Sequence, residues 1–181
     1  MILLIEGSER ADGNGAYLAE LITAEIPEAK RIKLRDLSFR DCNACGDCRK
    51  EERLCTIEDD LKAFYPDFTE ADGIILISPS YYGLPSAEVK KLIDRWYCMK
   101  LPKKRSRFKE GAKVLLFLTQ GSSRKIRSFY TLFWLKIVMN NHKCGFRGTI
   151  LTECSFDDHC GINNQKSKIL KYLRYIQSSE S

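Results

Sequence analysis

The 181-residue chain has no apolar run near the ~20 residues that a bilayer-spanning helix needs. Its opening, MILLIEGSER, has no basic segment ahead of the apolar stretch, so a secretory leader is not expected. Together these absences make the cytoplasm the expected location and a membrane partner unexpected. Only two histidines are present, His142 and His159, and neither looks like a general base. Internal repeats and linkers are absent, and the one low-complexity stretch is the polar tail from Gln177 to Ser181. Neither charge sign is in large excess. With 30 Lys and Arg against 24 Asp and Glu, the net charge is +6. That gives no argument for nucleic acid, and fits an acidic protein partner or a phosphorylated cofactor equally well.

What is present reads as a globular fold. Hydrophobic residues make up 44% and charged residues 30% of the chain, a balance that excludes disorder. The length suits one domain over residues 1–181. Apolar runs at Met1–Ile5, Ala29–Leu34, Gly73–Ser78, Ala112–Leu118 and Gly148–Cys154 predict five strands. Helical spacing predicts helices over Asn14–Ile26, Asp59–Phe68, Ser86–Met99, Arg124–Asn140 and Asn163–Ile176. Five strands alternating with five helices imply an α/β fold, a parallel sheet covered on both faces. The polar, cysteine-bearing segment 35–58 is too long for an ordinary connection.

In such a sheet, ligands bind beyond the carboxyl ends of the strands, where strand order reverses. Three loops belong there. The first, Gly7 to Gly15, opens a helix whose N-terminus attracts phosphate, with Ser8, Arg10, Gly13, Asn14 and Gly15 as candidate contacts. It is neither G-x-G-x-x-G nor a Walker A sequence. The second, with Pro79, Ser80, Tyr81, Tyr82 and Gly83, puts two aromatics where they could flank a flat ring. The third, with Thr119, Gln120 and Gly121, is small and polar. Each is also compatible with an ordinary turn.

Eight cysteines are many for a chain expected in a reducing compartment. Four of them, Cys42, Cys45, Cys48 and Cys55, follow the spacing C-x2-C-x2-C-x6-C. Four thiolates in one loop can close around an iron–sulfur cluster, which the run of two-residue gaps favours, or a structural zinc, and the alternative is an empty thiol loop. Cys98, Cys144, Cys154 and Cys160 show no ligand spacing and read as small hydrophobes. The basic stretch Lys100, Lys103, Lys104, Arg105, Arg107 and Lys109 is most simply a solvated connection, with the docking of an acidic electron carrier as the alternative.

The segments Gly7-Ser8-x-Arg10, Gly13-Asn14, Ala71-Asp72-Gly73-Ile74-Ile75, Pro79-x-Tyr81-Tyr82-Gly83, Ser86-Ala87-x-x-Lys90 and Ile93-Asp94-Arg95 together resemble the NADPH-dependent FMN reductase and iron–sulfur flavoprotein family, over about residues 1 to 123. The resemblance implies a flavodoxin-like three-layer fold with strand order 2-1-3-4-5. It also implies FMN with its phosphate in the first loop and its isoalloxazine between the second and third. The cysteine spacing resembles the motif that holds a 4Fe–4S cluster near the flavin in the iron–sulfur members. The family usually has threonine where Gly15 stands. Electrons would come from NAD(P)H or a ferredoxin-like protein; a non-enzymatic shuttle or redox sensor without a cluster is the alternative. Members are generally dimers or tetramers. The apolar residues of Ser128–Met139, which occupy nearly the whole helix circumference, agree with a homo-oligomer.

Overall fold

The structure is a computed structural model that describes residues 1–103, 105–156 and 158–178. Lys104 of the basic stretch and residues 179–181 of the polar tail lie outside the described residues.

The chain opens with β1 (Ile2–Glu6), α1 (Asn14–Glu25) and β2 (Lys30–Lys33). A four-residue helix α2 (Asp47–Lys50) interrupts the cysteine-bearing segment. Next come α3 (Tyr65–Glu70), β3 (Gly73–Tyr81), β4 (Leu84–Pro85) and α4 (Ala87–Arg95). The rest of the chain holds β5 (Lys113–Thr119), α5 (Phe129–Asn141), β6 (Gly145–Leu151), α6 (Cys160–Asn163) and α7 (Lys166–Gln177). No helix among the described residues is long and apolar enough to cross a membrane.

Five strands pair in parallel in the order β2-β1-β3-β5-β6, the expected order once the two-residue β4 is set aside. β4 is the one addition, lying antiparallel to β3 in a hairpin. Side chains alternate across the sheet. Ile74 and Leu76 of β3 join Trp96, Phe68, Leu92 and Leu135 on one face, under α3, α4 and α5. Ile75 and Ile77 join Leu18, Ile22, Ile169 and Leu173 on the other, under α1 and α7. The first face is braced by edge-to-face rings, Phe68 to Trp96 at 5.6 Å and Trp96 to Phe108 at 5.3 Å.

Several element boundaries depart from the sequence reading, each for a local reason. The helix expected over Asp59–Phe68 is a 3₁₀ turn, Asp60–Phe64, leading into α3. Pro66 has no N–H and its ring clashes with the carbonyl four residues back, so an α-helix cannot run through it from Asp59. The helix expected to reach Met99 ends as α4 at Arg95 and continues as a 3₁₀ turn. The helix expected from Arg124 starts at Phe129, after another 3₁₀ turn. The strand expected at Gly148–Cys154 is β6, Gly145–Leu151, in register from Gly145 opposite Lys113 to Leu151 opposite Thr119. Its first half lies exposed at the sheet edge, so no apolar run marks it. The last helix divides into α6 and α7.

Among the described residues, nothing covers the outward side of α5. Thr131, Leu135 and Met139 face inward and are buried. Phe129, Tyr130, Phe133 and Ile137 remain exposed, Tyr130 at 72%.

Candidate functional site

The carboxyl ends of β1, β3 and β5 bring the three expected loops to one cleft of about 410 Å³. Ser8, Arg10, Gly13, Asn14 and Gly15 line it from the first loop, Pro79, Ser80 and Tyr81 from the second, and Thr119, Gln120 and Gly121 from the third. Tyr82 and Gly83 do not line it. They line a neighbouring hollow of about 670 Å³, which shares Ser80, Tyr81, Gln120 and Gly121 with the cleft and adds Ser122, Arg127 and Ser128.

Buried polar contacts hold the loops in place. Glu6, fully buried at the end of β1, pairs with Arg31 at 2.7 Å and with Arg35. Arg35 also donates to the Ser8 carbonyl at 3.2 Å, propping the first loop from beneath. Ser86 caps α4 by accepting from the Val89 amide at 3.4 Å, and its hydroxyl donates to the Gly7 carbonyl at 2.6 Å. The start of α4 is thus tied to the first loop.

α1 presents its N-terminus to the cleft. Its N-cap is Gly13, no side chain caps its first amides and no acidic residue sits in its first turn. Such an end is a ready anion site. Gly15 is required by the approach of this helix to the loop: a Cβ there would lie 2.8 Å from the Ser8 Cβ. The threonine usual in the family would need the loop to move.

Some expected side chains are committed elsewhere. Asn14 does not point free into the cleft; its amide donates to the Ser155 carbonyl, and its oxygen faces His159 Nδ1 at 3.2 Å. His159 in turn stacks on Tyr17 at 4.1 Å. Arg10 pairs with Asp12 at 3.2 Å, and that hydrogen bond lowers the Asp12 carboxyl pKa. Gln120 spends its amide on the carbonyls of Ser122 and Arg124, folding its own loop. The Tyr82–Gly83 turn joins β3 to β4 with φ of +52° and +85°, as a two-residue hairpin turn requires. A Cβ on Gly83 would lie 2.1 Å from the Arg127 carbonyl oxygen.

The sequence reading missed the fourth wall of the cleft, which is Cys154, Ser155 and Phe156 after β6. Phe156 is 74% exposed, with the Arg10 guanidinium 5.6 Å from its ring centre. Burial pushes the Cys154 thiol up to about 11, so it stays protonated at neutral pH. Nothing in its spacing marks it out.

A second pocket, about 640 Å³, gathers Cys42, Cys45, Cys48 and Cys55, with Cys98 and Arg95 in its wall. Cys42 and Cys45 are exposed, Cys48 and Cys55 half-buried and Cys98 buried. Burial, then the neighbouring Cys55, Cys45 and Cys42, raises the Cys48 pKa. Burial raises Cys98 to about 11. The thiols share one pocket without converging on one point: among the described residues no three His, Cys, Asp or Glu side chains stand in a metal-holding arrangement. The expected cluster geometry is therefore not preformed. Lys103, Arg105 and Lys109 of the basic stretch are exposed, as a solvated connection expects, while two contacts tie the stretch down. Arg49 donates to the Lys100 carbonyl at 3.3 Å and Arg107 to the Glu52 carbonyl, packing it against the cysteine loop.

A sequence model of NADPH-dependent FMN reductase matches residues 1–141. An iron–sulfur flavoprotein of Methanocaldococcus jannaschii is 41% identical over 98 residues, covering 52% of this chain and 50% of that protein. An iron–sulfur flavoprotein of Methanosarcina thermophila is 39% identical over 127 residues, covering 66% of this chain and 62% of that protein. The match thus spans about half to three fifths of the length of these relatives. Among solved structures, an NAD(P)H:quinone oxidoreductase from Methanothermobacter marburgensis superposes with a TM-score of 0.71 at 15% identity, over 99% of this chain and 97% of that one. That likeness is of fold.

Proposed function

The chain belongs to the NADPH-dependent FMN reductase family, and on that premise we propose that it is an FMN-dependent oxidoreductase that takes electrons from NAD(P)H or a ferredoxin-like protein. The observation that carries the reading is the convergence of all three strand-end loops on one cleft beside an uncapped helix N-terminus. The donor set fits FMN. The first amides of α1 and the Arg10 guanidinium suit the phosphate. Tyr81, Ser80 and the backbone of Thr119 to Gly121 line the side where the isoalloxazine would lie. The redox chemistry belongs to FMN itself, which exchanges electrons in pairs with a nicotinamide and singly with other carriers. The chain binds, orients and shields it. Cys154, Ser155 and Phe156 narrow the cleft, and the neighbouring hollow beside Tyr82 and Arg127 offers space for the donor. No side chain is needed as a general base.

The cysteine pocket is read as the seat of a 4Fe–4S cluster, held by Cys42, Cys45, Cys48 and Cys55 after the loop tightens. Thiolate is the donor such a cluster takes, and the relatives named iron–sulfur flavoproteins support the reading. The cluster would carry single electrons. α4 joins the two sites: it begins at Ser86 beside the cleft and ends at Arg95 in the pocket wall, about 13 Å of helix at 1.5 Å per residue. The exposed face of α5 is read as the seat of a second copy of the chain.

Anaerobic steady-state turnover tests the enzymatic reading. Oxidation of NAD(P)H with an added acceptor supports it. Reduction by a protein donor with no turnover of any added acceptor makes the chain a shuttle instead.

A further inference from the structure

The cysteine segment is mostly irregular backbone, so its shape depends on what closes its base. One rung joins Ser38 and Asp60, whose carboxylate accepts from the Ser38 amide at 2.7 Å. The next rung is different in kind. Asp59 accepts from the Arg40 amide at 3.0 Å and from Arg95 Nη1 at 2.6 Å. The same Nη1 donates to the Arg40 carbonyl at 2.8 Å, and Nη2 to the other Asp59 oxygen at 3.3 Å. Arg95 comes from the last residue of α4, a rigid element, and bridges both ends of the segment that carries the four thiols. Its side chain is fully buried and that of Asp59 is 5% exposed. The guanidinium also faces the buried hydroxyl of Tyr65, and the residue lines the cysteine pocket. A fully buried guanidinium in the wall of a thiol-lined pocket puts a fixed positive charge beside the sulfurs. Net charge and hydrogen bonds near the sulfurs are what set the redox poise of such a site.

We propose that Arg95 is a positioning residue of the cysteine pocket with two separable roles: its fork pins the loop at both ends, and its charge favours the reduced state of an iron–sulfur cluster held there. This rests on the cluster reading for the second role and on the structure alone for the first. Asp59 works against the charge role and with the pinning role. The two residues therefore move the two readouts differently, and so does lysine, a point charge that cannot reproduce the fork.

The test uses Arg95→Gln, Arg95→Lys and Asp59→Asn, each first checked for wild-type circular dichroism and FMN uptake. The Ser38–Asp60 rung remains in all three. In iron-free protein, the rate of alkylation by iodoacetamide is followed cysteine by cysteine. The half-buried Cys48 and Cys55 should react several-fold faster in all three variants, with the exposed Cys42 and Cys45 unchanged. After anaerobic reconstitution with iron and sulfide, the midpoint potential is measured by dye titration. It should fall in Arg95→Gln, rise in Asp59→Asn and stay near wild type in Arg95→Lys. A purely structural role would shift the potentials all in one direction or not at all, and either result overturns the charge role. Unchanged alkylation rates overturn the pinning role. Wild-type protein that takes up no iron removes the cluster reading and the charge role with it, while the alkylation rates still decide the pinning role.

Discussion

Replacing Arg10 with alanine should weaken FMN binding about tenfold. The guanidinium lines the cleft beside the open N-terminus of α1. A hydrogen bond to a charged group is worth about 1.5–3 kcal/mol. Arg10 is 42% exposed and already shares its charge with Asp12 at 3.2 Å, which argues for the lower end, and about 1.4 kcal/mol is a factor of ten. Asp12→Asn should act the other way and tighten binding modestly, because it frees the guanidinium while an exposed pair contributes little. The assay is fluorescence titration of apoprotein with FMN and, in parallel, with riboflavin, which lacks the phosphate. Arg10→Ala should leave riboflavin affinity unchanged. An equal loss for both flavins would place the effect in the loop rather than on the phosphate and refute the reasoning.

The layers of the fold were legible because buried strands announce themselves as runs such as Gly73–Ser78, and every residue of β5 is buried. What escaped was set by long-range contact. The hairpin at Tyr82–Gly83 depends on two left-handed residues, of which only the glycine leaves a trace in sequence. Asn14 was legible as a cleft residue, but its commitment to Ser155 and His159 depends on residues about 140 positions away. Cys98 and Cys154 have no neighbours in sequence that mark them as pocket residues; the turn after α4 and the chain leaving β6 bring them there. Arg95 carried the family resemblance, yet its pairing with Asp59 is a tertiary fact.

Gly83→Ala should lower stability, because a Cβ at φ +85° would meet the Arg127 carbonyl oxygen at 2.1 Å; strained residues of this kind cost about 1–3 kcal/mol, read as a lower urea midpoint. His142 is buried and neutral, held down at about 4 by burial and then by Lys100. The unfolded chain binds that proton below about 6.5 and the folded chain only below about 4, so stability should fall as pH drops through that window, by up to about 3 kcal/mol. Urea melts at pH 7 and pH 4.5 should show a smaller difference for His142→Asn than for wild type. Phe133→Glu on the outer side of α5 should reduce self-association in light scattering coupled to gel filtration; wild type that is monomeric at micromolar concentration removes the second-copy reading.

The most direct test is one visible spectrum of protein purified without oxygen, read with iron, sulfide and flavin assays on the same sample. A flavin band pair, with broad charge-transfer absorbance beneath it that disappears in Cys48→Ser while the flavin remains, is the predicted result. A sample that binds no FMN, even after incubation with excess cofactor, would contradict the account at its centre.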